Sequence, residues 1–204
     1  LIFSTLISTI FNSDDKLEPN SILKIQFDTP IYDKPNNNPF KNFNPINTWG
    51  PNKSIHLYKL LNAIDIAAKE KNIQGIVLDM NDYISPGAAS AKEIRDALNQ
   101  FKQTNKFIYA YSTTYSQSAY YIASASDSVF MYPKGLLNLR GLSSTTPFFK
   151  NTLQEMGIKP EVIRHGKFKA AVEPFITDKM SAENRLQTTT LLNDVWSTMI
   201  ADIS

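Results

Sequence analysis

The chain has 204 residues, 42% hydrophobic and 20% charged, which sets the scale of one well-cored globular domain and excludes a disordered chain. Twenty-one Lys and Arg against 19 Asp and Glu leave a net charge of +2, so there is no electrostatic case for nucleic acid. No cysteine is present, which excludes disulfide scaffolds, thiolate metal sites, iron–sulfur clusters and a cysteine nucleophile.

Residues 1–11 (LIFSTLISTIF) are uncharged and mostly apolar. The run is shorter than the roughly 20 residues that span a bilayer. A polar spacer, Asn12 to Asn20, follows at once. The expectation is that 1–11 are the last turns of an N-terminal membrane anchor, and that 12–204 form an α/β unit. A buried strand or helix end is the plainer reading. A cleaved signal peptide is less favoured, because no small-x-small site follows the run.

Ser21 to Thr29 alternates apolar and polar, as a half-exposed strand does. Lys34 to Asn52 holds seven Asn and four Pro and reads as a long irregular loop. Ser54 to Lys71 places Leu57, Leu60, Leu61, Ile64, Ala67 and Ala68 on one helical face. Ile73 to Met80 is a nearly continuous apolar run, the pattern of a strand covered on both faces. Ser90 to Phe101 is helical, with Ala91, Ile94, Leu98 and Phe101 aligned. Lys106 to Tyr111 is a strand, Ala119 to Ser124 a short helix and Ser128 to Tyr132 a strand. Thr146 to Met156 reads as a helix stopped by Gly157, Pro160 to Arg164 as a strand, and Ser181 to Ile203 as an amphipathic helix. Alternation of this kind predicts β-α-β crossovers and a mostly parallel sheet.

Motifs for nucleotide phosphates, for dinucleotides and for a G-x-S-x-G nucleophile are missing, so no cofactor is expected. The only histidines, His56 and His165, are far apart, and no metal site is expected. Asp79 and Asp82 follow a predicted buried strand, where α/β proteins often place functional groups; a capping or solvating loop acid is the simpler role. Tyr109, Tyr111, Tyr115, Tyr120 and Tyr121 form an aromatic cluster, read as core and subunit contact, and Trp196 is assigned to core or inter-domain packing. In His165 to Phe175 (HGKFKAAVEPF), Lys167 and Lys169 flank Phe168. Desolvation makes a lysine amine easier to deprotonate, which is what a general base for serine needs. On composition alone, an exposed loop lysine is the simpler reading.

Five blocks change that balance: Ala119–Ser124 (AYYIAS), Val129–Pro133 (VFMYP), Gly135–Gly141 (GLLNLRG), Gly166–Phe175 (GKFKAAVEPF) and Asp178–Ser181 (DKMS). Through them the chain, from about Asn20 to its end and most strongly after Ala119, resembles the signal peptide peptidase A (protease IV) family in its long bacterial form. The resemblance implies a fold of the Clp protease and crotonase type. It implies a membrane-anchored serine peptidase with a Ser–Lys dyad and no catalytic histidine, acting on hydrophobic signal peptides after their release. It further implies two tandem halves, lysine from the first and serine from the second, a homo-oligomeric bowl, and a site on the extracytoplasmic side of the bacterial inner membrane.

Carried onto this sequence, the general base is Lys169. The nucleophile position of the short forms falls in Ser116–Ile122 (SQSAYYI) on Gln117, whose amide cannot form an acyl-enzyme. Ser116 and Ser118 flank it. Pro86-Gly87-Ala88 stands where the short forms carry P-G-G near the oxyanion site. These departures match the N-terminal half of the long form. No role falls on His165, and Glu173 is expected to be structural, pairing with Lys167 or Arg164. A non-catalytic assembly module of the same fold is the competing reading, on the strength of the missing serine. A crotonase-like acyl-CoA enzyme, with Ser85–Ala89 as oxyanion turn, is the third; the Gly166–Phe175 block speaks against it.

Overall fold

In the computed structural model, the described residues are 17–33, 54–163, 166 and 168–204. The apolar run 1–11, most of the Asn-rich loop, Arg164, His165 and Lys167 lie outside them. The chain divides into two compact units, Leu1–Leu139 and Arg140–Ser204.

The first unit is built on a four-stranded parallel sheet. Its elements in chain order are β1 (Ser21–Gln26), β2 (Ile31–Tyr32), β3 (Ile55–His56), α1 (Leu57–Lys69), β4 (Ile73–Asp79), α2 (Ala88–Lys102), β5 (Phe107–Ser112), α3 (Gln117–Ala123) and β6 (Ser128–Met131). The order across the sheet is β1-β4-β5-β6, every pair parallel. Parallel neighbours cannot be joined by a tight turn, so a helix fills each gap: α1 before β4, α2 before β5, α3 before β6. This meets the expectation of a mostly parallel α/β sheet with β-α-β crossovers. β2 and β3 add a small parallel pair, Ile31 opposite Ile55.

One face of the sheet and the helices make the core. Ile25, Ile76, Leu78, Ile108 and Ala110 alternate onto that face and are buried. Against them lie Leu57, Leu60, Ala63, Ile64 and Ala67 of α1, and Ala91, Ile94, Leu98 and Phe101 of α2. The stripe read for α2 is therefore a buried one, and that for α1 is buried at Leu57, Leu60, Ile64 and Ala67 but only half-buried at Leu61 and Ala68. Gly75 must be glycine, because a Cβ there would stand 2.6 Å from the Phe107 carbonyl oxygen. The other face differs from the expectation for β4. Val77 is only half-buried, and Tyr109 and Tyr111 are each 41% exposed. There the rings form their own ladder, Phe107 to Tyr109 at 4.8 Å and Tyr109 to Phe130 at 5.7 Å. Of the tyrosine cluster, Tyr115 and Tyr121 belong to the core.

Two buried polar anchors join these elements. Arg95 of α2 is 5% exposed; Nη1 donates to Tyr121 O and to Ser124 Oγ, both at 2.6 Å, and the guanidinium sits 5.2 Å from the Tyr121 ring centroid. It satisfies the end of α3. Tyr115 is 2% exposed and donates to Phe130 O at 3.0 Å, while its backbone bonds Leu136 O and Asn138 N hold the segment after β6.

The second unit holds α4 (Lys150–Glu155), a 3-10 turn (Ala170–Val172), α5 (Glu173–Ile176) and α6 (Ala182–Ile203). α4 is shorter than Thr146–Met156: Pro147 disfavours helical backbone at Thr146, and the helix begins only after Phe149, its N-cap at φ −110°, ψ 1°. Gly157, at φ 70°, ends it, with Ile158 N donating to Leu153 O at 2.8 Å. The Phe149 and Phe175 rings stack at 6.2 Å, and Phe149 N donates to Pro174 O. α6 matches its expected span, with Ser181 as N-cap, but none of its residues is fully buried, and Trp196 is half-buried. The strand expected at Pro160–Arg164 does not form over 160–163. A strand needs a paired neighbour, this unit offers none among the described residues, Pro160 has no N–H to give, and Ile163 is fully exposed. No helix of the described residues is long and apolar enough to cross a membrane.

Two outcomes follow. Arg95→Met leaves the Tyr121 carbonyl without its charged donor, and should cost about 2–3 kcal/mol in urea unfolding. Burial, with the nearby Tyr111 adding to it, pushes the Tyr115 phenol up to about 12. An unfolded tyrosine titrates near 10, so from pH 10 to 12 the unfolded chain holds fewer protons. This contribution is therefore complete below pH 10 and should be lost as pH rises to about 12, a fall of about 2–3 kcal/mol that Tyr115→Phe removes from the pH dependence of unfolding.

Candidate functional site

Each unit has one hollow of interest. In the first unit it lies at the carboxyl ends of β4 and β5, where parallel sheets commonly place ligands. Met80, Asn81, Asp82, Tyr83, Thr113, Thr114, Ser116 and Ala119 line about 560 Å³. Asn81 bridges the two strand ends: its Oδ1 accepts from Thr113 N at 3.0 Å and Thr113 Oγ1 at 3.1 Å. Asp79 does not face a substrate. It pairs with Lys24 at 2.8 Å and accepts from Asn81 N and Nδ2 at 3.2 and 2.8 Å. Burial pushes its carboxyl up, but the Lys24 hydrogen bond, the two from Asn81 and the Lys24 charge outweigh that and hold it below the usual value. It is the capping acid of the simpler reading. Asp82 stands exposed beside it in the left-handed region, φ 53°.

The stretch carrying the nucleophile position enters α3 here. Ser116 is the N-cap, and its Oγ accepts from Ala119 N at 3.3 Å. Gln117 is the first helical residue, and Ser118 Oγ lies 3.4 Å from Ser116 Oγ. Burial pushes the Tyr83 phenol up, with the Ser118 and Ser85 hydroxyls pulling the other way. The lining includes hydroxyls but no lysine or histidine. A serine hydroxyl without an adjacent base is a poor nucleophile. Gly87 begins α2 at φ 89°, ψ 160°, a conformation open to glycine alone, and its N–H donates to Ser85 Oγ at 3.4 Å.

In the second unit, Ile163, Phe168, Lys169, Ala170, Ala171, Val172 and Gln187 line another hollow of about 560 Å³. Lys169 is exposed and stands at φ −100°, ψ 65°, immediately before the 3-10 turn. Apart from Lys169 and Gln187 the lining side chains are apolar, and none is a serine. Because no strand forms at 160–163, this segment is not the strand-end loop expected from the sequence. It is fixed from its other side. Glu173, 2% exposed, accepts from Ser181 Oγ at 2.5 Å, Asn184 Nδ2 at 2.9 Å and Ser181 N at 3.2 Å. Glu173 is thus structural as expected, but through the N-terminus of α6; its expected partners Lys167 and Arg164 lie outside the described residues. The Ser181-x-x-Asn184 spacing was the available signal for this cap. His56 closes β3, and no group of three acidic or histidine side chains that could hold a metal occurs among the described residues.

The profile of peptidase family S49 matches residues 100–204. The chain is 32% identical to "Protease 4" of Haemophilus influenzae over 152 residues, which is 74% of this chain and 25% of that protein. It is 32% identical to "Protease 4" of Salmonella typhi over 148 residues, 72% of this chain and 24% of the relative. "Serine protease SPPA, chloroplastic" of Arabidopsis thaliana is 29% identical over 153 residues, 75% of this chain and 22% of that protein. The chain thus spans about a quarter of the length of these relatives. The matched residues run from the end of α2 through β5, α3, β6 and the whole second unit, Lys169 included, and they make the chain a member of peptidase family S49.

Proposed function

We propose that this chain is the lysine-bearing N-terminal half of a membrane-anchored Ser–Lys endopeptidase that degrades signal peptides after their release. One observation carries the reading: the hollow that Lys169 lines contains no serine, and the hollow with hydroxyls holds no lysine or histidine. In this reading the first holds the base of a dyad, and another half supplies the serine. Relatives named as proteases and about three times as long as this chain support the same view.

In this reading a serine from the C-terminal half attacks the scissile carbonyl, and the neutral Lys169 amine takes its proton. The same amine returns the proton to the leaving nitrogen. It then activates the water that frees the acyl group. The amine must be neutral and within roughly 2.6–3.2 Å of the hydroxyl. Packing of the second half over Lys169 supplies the desolvation that an exposed lysine lacks. The apolar walls made by Ile163, Phe168, Ala170 and Val172 suit hydrophobic peptides. The anchor 1–11, an extracytoplasmic site at the bacterial inner membrane and a homo-oligomer complete the proposal.

A second reading rests on Gln117 at the nucleophile position: a non-catalytic assembly module of the same fold. Intact mass of the native protein, extracted from its own membranes, separates the two. The peptidase reading expects more than double 23.0 kDa. A native chain ending near Ser204, with no serine-bearing subunit copurifying, leaves only the module. In the longer protein Lys169→Ala should lower peptide hydrolysis by about 10²–10⁴-fold. Lys169→Arg should fail equally, because a guanidinium does not give up its proton.

A further inference from the structure

We propose that Glu173 is a positioning residue: it locks the turn that carries Lys169 onto the N-terminus of α6, and so sets where the amine stands. The inference rests on the reading of Lys169 as general base.

The path from one residue to the other is short and stiff. Lys169 caps the 3-10 turn Ala170–Val172, and α5 begins at Glu173 without a break. Pro174, in the first turn of α5, fixes the backbone just beyond. Thr177 N donates to Glu173 O at 2.9 Å and closes α5 from the far side. The Glu173 side chain then turns inward and is buried. Oε1 accepts from Ser181 Oγ, and Oε2 accepts from Ser181 N and Asn184 Nδ2. Ser181 Oγ in turn accepts from Asn184 N at 3.1 Å, as the N-cap of α6. Three donors converge on one carboxylate at the positive end of a 22-residue helix.

That helix also reaches the lysine hollow. Gln187, one turn after Asn184, lines it together with Lys169. The lysine turn and one wall of its hollow are therefore tied to the same stretch of α6, and Glu173 is a tie between them. A buried carboxylate is a costly way merely to add stability, since an apolar side chain of similar size often serves as well. It does give one orientation, because only a charged acceptor satisfies all three donors. A misplacement of about 1 Å at a reacting group costs on the order of 10²-fold in rate.

The test uses the longer protein with its serine-bearing half and a fluorogenic hydrophobic peptide. Glu173→Gln keeps the shape but presents an N–H2 to donors. It should lower kcat by about 10- to 100-fold, with KM within about twofold and the melting temperature still above the assay temperature. Asn184→Ala and Ser181→Ala, milder cuts of the same tie, should lower kcat in the same way. Ser181→Thr keeps the hydroxyl and should restore the rate. A wild-type kcat in folded Glu173→Gln, or a change confined to KM or to melting temperature, overturns the inference. If that happens while Lys169→Ala is inactive, the positioning role fails and the base reading stands. If Lys169→Ala keeps its activity, the base reading itself fails, whatever Glu173 does.

Discussion

Parallel pairing is the constraint from which the first unit follows. A strand cannot return beside its parallel neighbour without a crossover, so α1, α2 and α3 are obligatory and must lie on the sheet. All carboxyl ends then fall on one edge. The Met80–Ser85 and Thr113–Ser116 segments meet there for that reason, and Asn81 and Tyr115 tie them down. The hydroxyl-lined hollow is thus a product of topology. Its chemistry is decided by the side chains placed on that edge.

What those side chains lack is as informative as what they offer. Ser116 is committed to capping α3, and Gln117 opens that helix with an amide side chain. Asp79 is committed to Lys24 and to its own turn. Neither lysine nor histidine lines that hollow. Lys169 belongs to the other unit, in a segment organised by helix α6 and by the buried Glu173 carboxylate.

Much of this was legible in the sequence, and the limits were physical. The stripes of α1 and α2 and the strands β4, β5 and β6 were readable because each buries one continuous face, so periodicity and burial coincide. Lys169 was singled out through its V-E-P-F context, which spacing alone would not have supplied. The strand at 160–163 was misread because β-branched residues signal a strand only where a neighbour exists to pair with it. The helix at 146–156 was overdrawn at its start, where the effect of Pro147 accounts for Thr146 and the observed helix begins only after Phe149. The role of Glu173 was invisible for a different reason. Its partners Ser181 and Asn184 are 8 and 11 residues away, and only folding brings them to the carboxylate.

The same long-range tie explains why a segment without a strand can still be well placed. Regular structure holds a side chain through many weak, repeated bonds. The Lys169 turn has only a 3-10 turn and a four-residue helix, too short to hold position by themselves. One buried, fully engaged carboxylate substitutes for that missing regularity, since each of its hydrogen bonds is charge-assisted and shielded from water. Rigidity therefore enters this part of the molecule through a side chain, four residues along the chain from Lys169.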